Sequence, residues 1–151
     1  MRERHSSASC VAASLAIVVA VLATAPACHT SPTVAFARLL DQTASWAAST
    51  EFAVAMQTAG TVPRVYVEDL VRHGAREVTQ LQTKLQESDD IEPATRSEAA
   101  KLSGQLAAIL QSATDGGTPA IGELRGIERG LRALARRVRT GDSRPAAGAA
   151  R

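Results

Sequence analysis

The sequence predicts an all-α fold: an antiparallel up-down four-helix bundle following an N-terminal segment of signal and lipobox-like character. Three observations predict it. Apolar residues recur at alternating steps of three and four, the spacing of one helix face. Gly, Pro and acidic breakers separate these stretches at intervals of one helix length. Aromatic residues make up only 3% of the chain, against 45% hydrophobic residues in all. A core of Ala, Leu, Val and Ile suits closely packed helices better than sheets.

The N-terminal segment comes first. Arg2, Arg4 and His5 make a basic start diluted by Glu3, and residues 11–25 form an apolar run interrupted only by Ser14 and Thr24. A positive start, an apolar run and a small-residue exit are the layout of a secretory signal, here spanning residues 1–27. The exit reads Ala25-Pro26-Ala27-Cys28, with small residues at the A-x-A positions and a proline that ends the apolar helix. With Ala27 directly before Cys28, the segment resembles the lipobox of bacterial lipoproteins. That resemblance implies cleavage between Ala27 and Cys28, and acylation of the Cys28 thiol as a membrane anchor. Two or more acyl chains would hold the protein stably on a bilayer. Cleavage with release is one alternative. An uncleaved anchor is another, since the run approaches the ~18–20 apolar residues that span a bilayer. Each of the three places the rest of the chain outside the cytoplasm, on the outer face of the cell membrane or secreted.

Removal of residues 1–27 leaves Cys28 as the sole cysteine, which excludes an intramolecular disulfide and a Cys-based zinc site. Fifteen arginines against two lysines, with abundant Ala, point to a GC-rich bacterial genome.

Residues 28–33 read as a tether, in which Ser31 or Thr33 can cap the first helix. Helix 1 is predicted over 34–58, stopping at Gly60. Its apolar face collects Phe36, Leu39, Leu40, Thr43, Trp46, Ala47, Ala53 and Val54, and it leaves Phe52 and Met56 on the opposite side, one turn apart. Helix 2 is predicted with Thr61 as cap and Pro63 in its first turn. Val67, Val71, Gly74, Val78, Leu81 and Leu85 form a heptad seam along it, with Glu68 and Arg72 as an outer i,i+4 pair. It dissolves in the acidic turn at residues 87–90. Helix 3 starts either at a Thr95/Glu98 capping box or earlier, at Glu92. It runs through Ala99, Leu102, Leu106, Ile109 and Ala113 to Asp115-Gly116-Gly117. Helix 4 is predicted to open on Thr118 as N-cap and Pro119 as first residue. Its seam is Ala120, Leu124, Ile127, Leu131, Leu134 and Val138, and Gly141 stops it. The bundle thus covers 34–140, and 141–151 reads as a disordered tail.

Four features stand out as functional candidates. Gly122, Gly126 and Gly130 repeat at GxxxG spacing, which permits close backbone approach by a partner helix. Arg125, Arg129, Arg132 and Arg136 share one face of helix 4. From Arg125 to Arg151 eight arginines meet only Glu128 and Asp142, a basic ridge suited to anionic lipid or an anionic envelope polymer. Nucleic acid is not an expected partner, because no aromatics interleave and the compartment is wrong. Tyr66 and His73, seven apart on helix 2 with Asp69 between them, are weak ligand candidates for haem or a metal. Phe52 with Met56 is a candidate contact patch for a protein partner.

No cofactor and no catalytic set are expected. The seams hold no Asp, Glu, His, Arg or Lys, and no G-x-S-x-G, H-E-x-x-H or P-loop occurs. The reading is an exported, lipid-anchored bundle acting as a non-catalytic interaction protein of the cell envelope. The alternative is a small secreted ligand carrier, of haem type.

Overall fold

The computed structural model describes residues 31–141 of the 151-residue chain. The expectations for the signal segment, for Ala27 and Cys28, for residues 28–30 of the tether and for the tail beyond Gly141 lie outside the described residues. Within them the chain forms four helices and no strand: α1 (Pro32–Thr58), α2 (Arg64–Gln86), α3 (Pro93–Thr114) and α4 (Ile121–Thr140). None of these is long and apolar enough to cross a membrane.

Two of the expected helix starts hold, the Ser31 cap of α1 and the Glu92 start of α3, and two do not. At α1, Ser31 is the N-cap, its Oγ accepting from the Val34 backbone N–H at 3.5 Å, and Pro32 occupies the first turn. The bundle therefore begins two residues before Val34. At α2 the cap position is Pro63 itself and no side chain caps it, so Thr61 lies outside the helix. At α3 the earlier start holds. Glu92 is the N-cap, so Thr95 lies inside the first turn and the Thr95/Glu98 capping box does not form; the Glu98 carboxylate instead pairs with Arg137 at 2.6 Å. At α4 the N-cap is Ala120, so Thr118 and Pro119 belong to the preceding loop. The stop at Gly141 is as expected: φ is +68°, a left-handed cap that glycine adopts without Cβ strain, and its N–H donates to the Arg137 carbonyl.

Long-range ion pairs fix the packing directions. Arg139, near the end of α4, reaches Asp41 near the start of α1, and Arg125, near the start of α4, reaches Glu51 at 2.7 Å. α4 therefore runs back along α1. Arg137 with Glu98 sets α4 against α3 in the same opposed sense. α1 packs most extensively on α4 and α2 on α3. The α1–α2 and α3–α4 seams are looser.

The core follows from residue size. α1 presents Ala37, Ala44, Ala47 and Thr50 as buried small residues. α4 presents Leu124, Leu131 and Leu134. Small residues on one helix admit the large ones of the other, which explains the close α1–α4 pairing. The α2 seam is buried as expected, from Val67 to Leu85. The α3 seam is not: Ala99 and Leu106 are buried, but Ser103 and Leu110 complete the face, while Leu102, Ile109 and Ala113 are half-buried. α3 is rotated toward α2, where Gly74 and Gly104 leave room for Leu110 and Gln82. On α4, Ala120 is exposed and Val138 half-buried, and Ala135 takes the inner position. Ile91, in the α2–α3 turn just after the acidic residues 87–90, is buried and joins the core.

Candidate functional site

The link between α1 and α2 spans only residues 59–63, with Gly60 in the left-handed region at φ +72°. A link this short sets the start of α2 beside the last turns of α1. Ser49, Phe52, Ala53 and Met56 of α1 consequently face Val62, Pro63, Tyr66 and Leu70 across a groove of about 540 Å³. Ala53 is buried beneath it and Leu70 is half-buried. Phe52 stands 67% exposed and Tyr66 57% exposed, one on each wall. Val65, 69% exposed, lies in the same first turn of α2 but outside the groove lining. No charged side chain lines the groove.

Phe52 is thus exposed, as the helical phase implies. Met56 is not fully so: it is half-buried, because the start of α2 folds over it. Sequence reasoning missed Val62 and Leu70 as wall residues and gave Tyr66 a different role. The signal was present in the short link, which forces whatever follows Pro63 against residues 49–56.

Tyr66 and His73 are not brought into one site. Tyr66 belongs to the groove, whereas the His73 ring meets Trp46 edge-on, with centroids 5.4 Å apart. Asp69 is exposed and makes no hydrogen bond with His73. Among the described residues no group of three His, Cys, Asp or Glu could hold a metal ion.

The glycine stripe divides. A Cβ on Gly130 would lie 3.2 Å from both Leu102 methyls, so this position is closed by α3. Gly122 and Gly126 face open space. Gly126 edges a second groove of about 580 Å³ along the α3–α4 seam, lined by Leu102, Ile109 and Ile127, with Glu123 among its polar members.

The arginine ridge is half neutralised. Arg125 pairs with Glu51 and Arg132 with Glu128 at 2.9 Å. Arg137 pairs with Glu98 and Arg139 with Asp41. Arg129 donates to the Arg125 carbonyl at 3.3 Å. Of the four ridge residues, only Arg129 and Arg136 have no carboxylate partner among the described residues. Composition could not show this, because the neutralising carboxylates come mainly from α1 and α3. No protein-family model matches the chain, and no curated protein or solved structure matches it either.

Proposed function

We propose that the chain is an exported, lipid-anchored, antiparallel up-down four-helix bundle that acts as a non-catalytic binder at the cell envelope. The anchor is Cys28, freed by cleavage after Ala27, and the binding face is the groove walled by Phe52 and Tyr66. One observation carries the choice of face. Large apolar side chains normally go inside, yet Phe52 and Tyr66 stand in solvent on the two walls of an open groove. The basic ridge has a weaker claim, since two of its four arginines, Arg125 and Arg132, are already paired with carboxylates. The non-catalytic part of the reading rests on the interior, where, among the described residues, only Thr43, Thr50 and Ser103 interrupt the buried apolar side chains.

Two measurements on the full chain test this. Mass analysis of the N-terminal peptide from the membrane fraction should find an acylated Cys28, and Cys28→Ala should release or mislocalise the protein. An intact Met1 would overturn the anchor. A photoreactive residue at Phe52 should form adducts in the native envelope, and one at Arg129 should not. The reverse pattern would move the binding face to α4.

A further inference from the structure

We infer that the groove at the α1–α2 end holds a small, uncharged, ring-bearing apolar molecule, an inference that rests on reading this groove as the binding face. Its size is the first argument. At about 540 Å³ it falls within the ~300–1,000 Å³ range of small-molecule sites, and its lining follows the same rule of apolar walls with a few polar groups. The polar groups are the hydroxyls of Ser49 and Tyr66. They can orient a ligand but cannot neutralise one, and an unpaired charge desolvated there would be strongly disfavoured. The occupant is therefore neutral where it is covered.

The walls set its shape. Phe52 and Tyr66 face the groove from different helices, and the ring pair found among the described residues is Trp46 with His73. The two wall rings flank the groove without stacking on each other. A third ring entering between them gains offset or edge contacts with both, at centroid separations of ~4.5–7 Å.

Larger occupants fit less well. Two aromatic side chains exposed by about two thirds and over half present roughly 200–300 Å² between them. A stable dimer needs about 800 Å² from each partner. The anchoring membrane is also badly placed. Phe52 lies 20 residues beyond Pro32, roughly 30 Å along α1 from the end where the chain enters the bundle.

Benzophenone, a neutral two-ring photoreactive probe, tests the inference on the full-length chain in detergent. Irradiation followed by peptide mapping should place a saturable label on the segments holding Met56 and Tyr66, separable by mass from any label on the apolar N-terminal run. Excess N-phenyl-1-naphthylamine, a neutral ring compound, should compete it away. The exposed double variant Phe52→Ser with Tyr66→Ser should lower groove labelling about tenfold, with helical circular dichroism unchanged. Label scattered over the bundle, or unaffected by the double variant, overturns the inference. The photoreactive residue at Phe52 keeps the two readings apart. If it captures a protein chain or a second copy while benzophenone leaves the groove unlabelled, the small-molecule occupant is wrong and the binding face stands. If neither probe marks the groove, both fall.

Discussion

The Trp46 indole lies over Gly74: a Cβ added to Gly74 would stand 3.1 Å from Trp46 Cε3 and 3.4 Å from Cζ3. Gly74 thereby seats the Trp46 indole in the looser α1–α2 seam. On its other side the same Cβ would meet Leu110 at 3.6 Å. One missing side chain admits a neighbour from each flanking helix.

Gly74→Ala sets two effects against each other. Alanine in a helix interior gains about 1 kcal/mol over glycine, while overpacking a closed site costs about 1–3 kcal/mol. The indole is a rigid bicycle that can yield only as a whole, and its Cε3 stands 3.1 Å from the new Cβ, so the crowding should win. The expected outcome is a net loss of about 1 kcal/mol in urea unfolding, with a shift in Trp46 fluorescence. A stabilised variant would mean that Trp46 swings out at no cost.

Gly126→Ala should behave in the opposite way. Its Cβ meets nothing within 4 Å, so only the propensity gain remains, about 0.5–1 kcal/mol of added stability. Gly130→Ala should gain less, because Leu102 must move aside. The pair also judges the GxxxG stripe. If a partner helix docks there, Gly126→Ala will lose capture while gaining stability; unchanged capture removes the stripe as a contact face.

Much of this bundle was legible in the chain, and the failures have physical causes. The α2 seam was readable because Val67 through Leu85 keep one heptad register and α2 packs on neighbours to both sides. The α3 phase was not, because Leu102 and Leu106 look alike to a periodicity count. What separates them is Gly74 and Gly104 in three dimensions, which favour rotation toward α2. Two expected starts failed because Thr61 and Thr118 stand where a cap would, yet helix packing sets the start without a side-chain cap. At the candidate site, Phe52 was identifiable by its phase alone. Tyr66 and Leu70 needed the turn geometry. The ridge needed carboxylates more than 30 residues away in sequence, Glu51 with Arg125 and Glu98 with Arg137 among them.

The charge ridge yields a direct comparison. Arg129→Gln with Arg136→Gln removes the two ridge cations without carboxylate partners among the described residues. If α4 lay on anionic lipid, each would contribute about 1 kcal/mol and the double variant would bind anionic vesicles roughly thirtyfold more weakly. The groove reading expects less than about a threefold change, within the small energies of exposed charges. Co-sedimentation at low and physiological salt distinguishes these, because a genuine lipid contact must also weaken as salt rises.

Thr50 offers the sharpest stability test. It is fully buried on α1, and its hydroxyl has no hydrogen-bond partner among the described residues. Thr43, one heptad earlier and equally buried, donates its hydroxyl to the Leu39 carbonyl at 2.9 Å. The two threonines share residue type, helix and burial, and differ in hydrogen-bond satisfaction. An unsatisfied buried hydroxyl carries its full desolvation penalty of about 1–3 kcal/mol, whereas a satisfied one is near neutral. Valine keeps the β-branched shape in both places. Thr50→Val should therefore raise stability by about 1 kcal/mol, and Thr43→Val should change it by less than about 0.5 kcal/mol. The readout is the urea midpoint at unchanged slope, which confines the effect to stability and leaves the compactness of the unfolded chain out of it. If Thr50→Val instead destabilises, the hydroxyl finds a partner in solution, either the Trp46 carbonyl one turn back, as Thr43 finds Leu39, or a buried water.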